Sequence, residues 1–167
     1  RTEDDAGHGG ASGSGRRRQA GEKPFSEGDL LTGPASEHVP TLRLAQLGWL
    51  SHPFSVDRYL DQTACRSKLV VARILGGAAY WSYGLEQFSI RLRAAGVPFA
   101  ALPGDDKPDE ELFGYSTVPH ADWDALLGYC VEGGPENAAN LLRLTSHMLG
   151  RGARPPAARP LLRAGLY

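Results

Sequence analysis

Apolar residues recur with two different spacings between residues 41 and 149, and each spacing predicts one kind of element. Leu69–Leu75 is apolar at every position except Arg73, which is typical of a strand inside a parallel sheet with both faces covered. The next apolar residues are spaced four, three, four and three apart and predict one face of a helix: Trp81, Leu85, Phe88, Leu92 and Ala95. Val97–Leu102 is a second apolar run and predicts a second strand, with Pro98 tolerated near its start.

The strand, the helix and the second strand predict a βαβ unit over about residues 68–103, with a right-handed crossover. Gly96 is expected to end the helix in a left-handed conformation. The pattern then becomes helical, with one helix over His120–Val131 and another that begins near Pro135. The predicted fold class is therefore α/β: an open, mostly parallel sheet with flanking helices, followed by a helical segment.

The residues before this unit predict one more strand and one more helix. Thr41–Leu47 alternates apolar and polar residues, which indicates a short, half-buried strand. Ser55 is a candidate N-cap for a helix that should end near Cys65.

Large apolar residues are concentrated in the middle of the chain, and this sets the predicted domain boundaries. Residues 1–39 hold few of them and predict a disordered leader, and residues 1–24 show no apolar periodicity. Residues 40–150 should form the α/β domain. Residues 151–167 should be a linker rich in Arg, Gly, Ala and Pro that leads, over 161–167, into the start of a further strand.

Composition narrows the possible partners and the cellular compartment. The formal net charge of the 167 residues is −1 and the hydrophobic share is 41%, so no strong field would recruit nucleic acid or a membrane surface. The basic run Arg16–Arg18 is interpreted as part of a solvated tail. Cys65 and Cys130 are too few for a disulfide framework or a zinc site, which favours reduced thiols and a cytoplasmic location.

Ligands of open α/β sheets bind at the carboxyl ends of the strands, and that rule selects the candidate cleft residues. They are Arg73, Tyr80, Tyr83, Glu86, Asp105 and Asp106. The Arg73 guanidinium, which stands out on an apolar strand, is expected to be held by the carboxylate of Glu86 or Asp105. Trp81 shares the helix stripe and is expected in the core instead.

Motifs with a defined chemistry are absent from the same stretch of sequence. Gly76–Tyr80 lacks a phosphate-binding signature; it permits a ligand to approach the backbone, but a plain turn is favoured. Asp105–Glu111 contains five acids, which would suit a divalent cation, although a solvated turn that leads into the next helix is favoured. No histidine pair or Gly-x-Ser-x-Gly occurs, so no catalytic residue, metal ligand or bound cofactor is assigned.

Several short segments resemble, in order and spacing, the N-terminal region of the cobaltochelatase large subunit of the CobN type, a family that is similar to the magnesium chelatase large subunit. The segments are Ser51–Tyr59, Val71–Gly77, Tyr80–Glu86, Ala101–Asp106, Leu112–Pro119, Gly133–Asn137 and Arg163–Tyr167. Together they cover about Thr41 to Tyr167, and residues 1–24 do not share the resemblance.

The resemblance implies part of an ATP-dependent ligase that inserts cobalt into hydrogenobyrinic acid a,c-diamide in cobalamin biosynthesis. It implies as partners the remainder of the large subunit, an AAA+ ATPase subunit with its own partner subunit, and the corrinoid precursor; the complete complex would use cobalt and ATP. The family's large subunit is several times longer, and its metal- and tetrapyrrole-handling residues are expected mostly beyond Tyr167. This stretch alone is therefore expected to be non-catalytic.

Two other interpretations remain open. The chain could be a free-standing, non-catalytic binding or interaction domain, with a tetrapyrrole or a partner subunit as its ligand. A small flavodoxin-like enzyme is a weaker alternative that no constellation of residues favours.

Overall fold

Two short parallel strands lie at the centre of the structure, a computed structural model that describes residues 41–160. Strand β1 is Val70–Ile74 and strand β2 is Phe99–Pro103, with Val70 opposite Phe99 and Ile74 opposite Pro103. Within residues 41–160 these two strands make up the sheet. The predicted α/β class and the βαβ unit are confirmed.

Within residues 41–160, five α-helices pack around this sheet, and three single 3₁₀ turns precede or join them. The helices are α1 (Pro53–Gln62), α2 (Ser82–Ala94), α3 (Glu110–Tyr115), α4 (His120–Glu132) and α5 (Gly134–Met148). The 3₁₀ turns are Leu47–Leu50, Ala64–Arg66 and Ala78–Trp81. Among the described residues, no helix has the length and apolar content needed to cross a bilayer.

Helices α1 and α2 cover one face of the sheet and form the first of two cores. Val56 and Leu60 of α1 belong to the same buried cluster as Ile74 of β1 and Phe99 of β2. The predicted helix stripe is confirmed for Trp81 and for the α2 residues Leu85, Phe88 and Leu92, which are all buried in this cluster. It is wrong for Ala95, which follows the end of α2 and is exposed.

Helix α4 covers the opposite face of the sheet, mainly over β2. Ala100 and Leu102 of β2 pack with Trp123 and Leu126 of α4 in the second core. The indole N–H of Trp123 donates to the carbonyl of Ala101 at 2.7 Å, so a polar group buried in this layer is paired. Helix α5 packs against α4.

The outer edge of β2 is closed by side chains of the loop between α3 and α4. The N–H of Phe99 donates to Thr117 Oγ1 at 2.8 Å, and the N–H of Ala101 donates to Ser116 Oγ at 2.9 Å. The N–H of Thr117 donates in turn to the Phe99 carbonyl at 2.8 Å. These hydroxyls take the place of a neighbouring strand, because buried main-chain donors need partners.

Strand β1 differs from the prediction that both of its faces are covered. The side chains of Val71 and Leu75 are 38% and 69% exposed, and Arg73 is exposed as well. The core around α4 contains Ala100 and Leu102 of β2, but it does not extend over this side of β1. The apolar run therefore identified the strand correctly, but the prediction of a covered central position is wrong for residues 41–160.

The segment before β1 also differs from the sequence prediction. No strand forms over Thr41–Leu47, where Leu42 and Leu44 are exposed. Helix α1 begins at Pro53, with His52 as its N-cap: the Nδ1 atom of His52 accepts the N–H of Phe54 at 3.2 Å. Ser55 therefore lies inside the first turn, because proline is well suited to the first helical position.

The later helix predictions agree with the structure. Helices α4 and α5 occupy the predicted stretches, and Gly96 follows α2 with φ of 67°. Helix α3 begins after Asp109, whose Oδ1 accepts the N–H groups of Glu111 and Leu112. The leader predicted over residues 1–39 and the strand predicted over 161–167 lie outside the described residues.

The predicted linker, residues 151–160, has no helix or strand but is fixed to α4 and α5 by hydrogen bonds. The buried Asn137 side chain donates to the carbonyls of Gly133 and Arg159, both at 2.8 Å, and accepts the N–H of Arg159 at 3.0 Å. The Tyr129 hydroxyl donates to the Pro156 carbonyl. Asn137 therefore ties the end of the 151–160 segment to the junction between the two helices.

Candidate functional site

Arg73 lies where both strands end, but its partners are not the predicted carboxylates. Its Nε donates to the carbonyl of Pro103 at 3.3 Å, and its Nη2 donates to that of Gly104 at 3.1 Å. The N–H of Gly104 donates to the Ile74 carbonyl at 2.7 Å. A Cβ at Gly104 would lie 2.7 Å from Leu75 Cα, so only glycine fits there. The guanidinium thus caps the end of β2, and the predicted pair with Glu86 or Asp105 is wrong.

Tyr80 lies in the 3₁₀ turn that follows the glycine pair after β1. Gly76 and Gly77 both have positive φ, 99° and 73°, which glycine adopts without strain. A Cβ on Gly76 would lie 3.4 Å from Cβ of Tyr80, so the turn folds closely against this residue. The phenol of Tyr80 is exposed and faces solvent at the edge where a ligand was predicted.

Tyr83 is joined to α1 rather than to the other candidates. Its hydroxyl lies 3.0 and 3.2 Å from the two carboxylate oxygens of Asp57, and Arg91 lies 3.7 Å from the same carboxylate and also pairs with Asp61. The hydrogen bond to Asp57 raises the pKa of Tyr83 above its ordinary value, with smaller contributions from burial and from the charge of Asp57. This network links α1 to α2 on the exposed surface.

The three candidate carboxylates do not converge on a common point. Asp105 accepts the N–H of Lys107 at 3.3 Å, which is a local turn contact. Asp106 and Glu86 are exposed. Across residues 41–160, no hydrogen bond or ion pair joins two of the six candidate residues, and no cluster of three or more His, Cys, Asp or Glu side chains could hold a metal ion.

Asp109 is the acidic residue whose role the structure defines, as the N-cap of α3. A Cβ on Gly77 would lie 3.8 Å from Asp109 Oδ2, so the start of α3 lies beside the turn after β1. The sequence carried a signal for this role, since an Asp followed by two Glu residues is typical of a helix N-terminus.

Cys130 of α4 packs against the second core. Burial raises the pKa of Cys130, and the positive charge of Arg73 lowers it by a smaller amount. The thiol is half-buried and behaves as a small apolar residue of the second core.

A surface depression of about 390 Å³ lies on another part of the domain, along α5 and the residues that follow it. Its lining residues are Leu142, Arg143, Ser146, Arg151, Gly152 and Ala153. Arg143 donates to the side chain of Asn140 at 2.8 Å. None of the six candidate residues borders this depression.

The residues that sequence reasoning missed are polar groups that hold the fold together. Ser116, Thr117 and Asn137 each satisfy main-chain groups at an edge or a junction. Single hydroxyl and amide residues carry no periodic signal, and their partners lie between 15 and 22 residues away in the sequence. The sequence could therefore not identify them.

Comparison with known proteins identifies relatives with one shared name. No family model matches the chain. The aerobic cobaltochelatase subunit CobN of Sinorhizobium sp. is 42% identical over 127 residues, which make up 76% of this chain and 10% of that protein. The subunit of the same name from Pseudomonas aeruginosa is 36% identical over 127 residues, 74% of this chain and 10% of its own length.

A solved structure gives the same assignment at the level of fold. The catalytic subunit of cobaltochelatase from Mycobacterium tuberculosis matches 72% of this chain and 9% of its own length, with a TM-score of 0.53 and 26% sequence identity. The chain therefore spans about a tenth of the length of the relatives that it matches.

Proposed function

We propose that this chain serves as a scaffolding segment of a cobalt-inserting large subunit. The premise is that the chain belongs to the CobN cobaltochelatase family over one segment of its relatives' length. The single observation that carries the proposal is the 42% identity over 127 residues with the Sinorhizobium subunit. The reaction would be insertion of cobalt into a corrin precursor for cobalamin biosynthesis.

The geometry of the domain supports a structural contribution to that reaction. Its prominent polar residues are engaged in holding elements together: Arg73 caps β2, Tyr83 joins α2 to α1, and Asn137 fixes the 151–160 segment. Under this proposal, other parts of the large subunit bind cobalt and corrin.

The finer features of the proposal follow from the family resemblance. The substrate would be hydrogenobyrinic acid a,c-diamide, and ATP hydrolysis by an AAA+ subunit and its partner would drive insertion in the cytoplasm. These features belong to the complete complex, and a test of them needs the whole large subunit.

A graft tests the proposal. Residues 41–160 replace the matched segment of the Sinorhizobium subunit, and cobalt insertion is measured with the other components of that enzyme. We expect the graft to retain cobalt insertion, and a subunit with the segment deleted to lose it. A graft that folds but inserts no cobalt would contradict the proposal. Binding of a corrinoid by the isolated 167-residue chain would favour a free-standing binding domain instead.

A further inference from the structure

A Schellman motif ends α5 and fixes the direction of the chain that follows. The N–H of Arg151 donates to the Ser146 carbonyl at 2.9 Å, and the N–H of Gly150 donates to the His147 carbonyl at 2.8 Å. Gly150 has φ of 76°, the left-handed conformation that this motif requires after the last helical residues. The motif therefore places Arg151 beside Ser146, against the last turns of α5.

The residue after Arg151 is also a left-handed glycine. Gly152 has φ of 70°, and its carbonyl lies 3.1 Å from Nδ1 of His147. A side chain at Gly150 or Gly152 would be strained by these φ angles. Two glycines thus flank Arg151 and turn the loop of residues 150–153 back along α5.

The depression of about 390 Å³ is bounded by this loop and by the last two turns of α5, and its lining is basic. Of the described residues that line it, Arg143 and Arg151 are charged and none is acidic. Arg143 donates from Nη1 to the neutral amide oxygen of Asn140 at 2.8 Å, which uses one of the five N–H groups of a guanidinium. Ser146 adds a hydroxyl to the same lining.

Arginines on either side of the depression show which ligand suits it. Arg154 pairs with Asp122 of α4, and Arg159 pairs with Glu136 of α5 at 3.0 Å. The domain thus neutralises these neighbouring guanidinium groups with carboxylates, whereas the partner of Arg143 named above is uncharged. Carboxylates are the planar anions that a guanidinium binds through two parallel hydrogen bonds.

An exposed apolar residue lies in the same lining and narrows the ligand further. Leu142 is 49% exposed, and arginine beside apolar residues is typical of protein interfaces. The negative end of the α5 dipole opposes a free anion here, so contact with Leu142 favours a carboxylate carried on a chain with an apolar side chain. Two arginines in a chain of net charge −1 do not form the basic stripe that nucleic acid requires.

We propose that this depression binds an acidic segment of another protein chain. Two carboxylates of the segment pair with Arg143 and Arg151, and an apolar side chain between them covers Leu142. The inference goes beyond the proposed function and does not depend on it, because it uses only side chains of residues 142–153 of this domain.

A peptide titration of the 167-residue chain, followed by NMR, tests the proposal. The probe is the acetylated and amidated peptide Ala-Asp-Leu-Glu-Ala, and its control is Ala-Asn-Leu-Gln-Ala with the same caps. We expect the amide signals of Ser146, Arg151 and Gly152 to shift with the acidic peptide, with a Kd on the order of 1 mM. The control peptide should bind at least about tenfold more weakly, because it cannot form the charged pairs.

Substitutions locate the binding site. Arg143→Gln and Arg151→Gln should each weaken binding of the acidic peptide by about threefold to fivefold. Arg58→Gln is the matched control, since Arg58 is exposed and donates to a neutral amide, that of Gln62, at 3.4 Å on α1. It changes the net charge equally and should leave the affinity unchanged. Arg151→Gln keeps the main-chain N–H of the Schellman motif, so this variant tests the site even if Arg143→Gln disturbs Asn140.

Four results would overturn the proposal. They are equal affinity for the two peptides, equal effects of the three substitutions, shifts confined to other parts of the domain, and no shift at a peptide concentration of about 10 mM. Inorganic phosphate and a double-stranded DNA oligonucleotide are further probes. Tighter binding of either one, with the same amide shifts, would assign the depression to phosphate groups and not to a protein segment.

Discussion

Gly84 and Trp81 are in such close contact that a Cβ atom on Gly84 would lie 2.0 Å from Cε2 of the Trp81 ring. The indole is itself fixed, because its N–H donates to the Leu50 carbonyl at 2.8 Å and its ring packs edge-on against Phe88. A methyl group at position 84 therefore cannot be accommodated by a small movement of the ring. The glycine allows α2 to begin directly after the buried tryptophan.

Gly84→Ala should consequently destabilise the domain, although alanine is the better helix former. We expect a loss of about 1–3 kcal/mol in the free energy of unfolding, which is typical of an overpacked core. Gly114→Ala in α3 is the matched control: no atom lies within 4 Å of the added Cβ, so the change should be neutral or stabilise by up to about 1 kcal/mol. Chemical denaturation of both variants measures the difference, and equal stabilities would contradict this packing.

Phe88 is the centre of an aromatic cluster between α2 and the sheet. Its ring contacts those of Tyr59, Trp81 and Phe99, with centroids 6.3, 5.0 and 5.8 Å away. Phe88→Ala should cost about 3–5 kcal/mol by leaving a cavity. Ile90→Ala on the exposed side of the same helix should change the stability by less than about 0.5 kcal/mol. A loss below about 1 kcal/mol for Phe88→Ala in urea denaturation would refute the core assignment.

Thr117 substitutes for a strand at the outer edge of β2, and this role predicts a specific cost. Thr117→Val keeps the shape of the side chain but leaves the Phe99 N–H without its acceptor. An unsatisfied buried donor costs about 1–3 kcal/mol. Thr145→Val removes only an exposed hydrogen bond within α5 and should have a much smaller effect. Hydrogen exchange at Phe99 should accelerate in the Thr117 variant alone; unchanged exchange there would contradict the edge-closing role.

The sequence pattern predicted the parts of the fold that depend on periodic burial. The α2 stripe from Trp81 to Leu92 and the apolar run of β2 both became core, because a regular apolar spacing leaves few other ways to bury the same surface. The sequence pattern failed over Thr41–Leu47, where it predicted a strand. Six or seven alternating residues form a strand only where a neighbouring strand is available, and none lies beside them in the described residues.

The candidate site was less predictable than the fold. The rule that ligands bind at strand ends selected Arg73 and Asp105 by position, but the guanidinium bonds to main-chain carbonyls and the carboxylate forms a local turn. Chain order places side chains at an edge without setting their orientation. Tyr83 shows the same limitation, because its partner Asp57 lies 26 residues away on α1.

The hydrogen bonds of the Asn137 side chain predict that its replacement loosens the 151–160 segment. Asn137→Ala removes three hydrogen bonds of a side chain that is 1% exposed, two of them to Arg159. We expect a loss of about 1–3 kcal/mol in stability and faster proteolysis within residues 151–160. Glu136→Gln weakens only an exposed ion pair to Arg159 and should change neither by much. Equal proteolysis of the two variants would show that the segment is held by other contacts.

Tyr83 predicts a measurable change in alkaline titration. The phenol donates to the Asp57 carboxylate, and its deprotonation would replace that hydrogen bond with repulsion between two anions, so the pKa of the folded protein lies above that of the unfolded chain. The stabilisation is therefore fully present below pH of about 10, the ordinary tyrosine pKa, and is lost as the pH rises through the folded pKa. Asp57→Asn should move the pKa of Tyr83 downward. Tyrosinate absorbance measures the change in the pKa of Tyr83, and subtraction of the titration curve of Tyr83→Phe isolates this one phenol. An unchanged titration midpoint in the Asp57 variant would mean that the carboxylate does not control the phenol. The link between α1 and α2 through Tyr83 would then lose its main support.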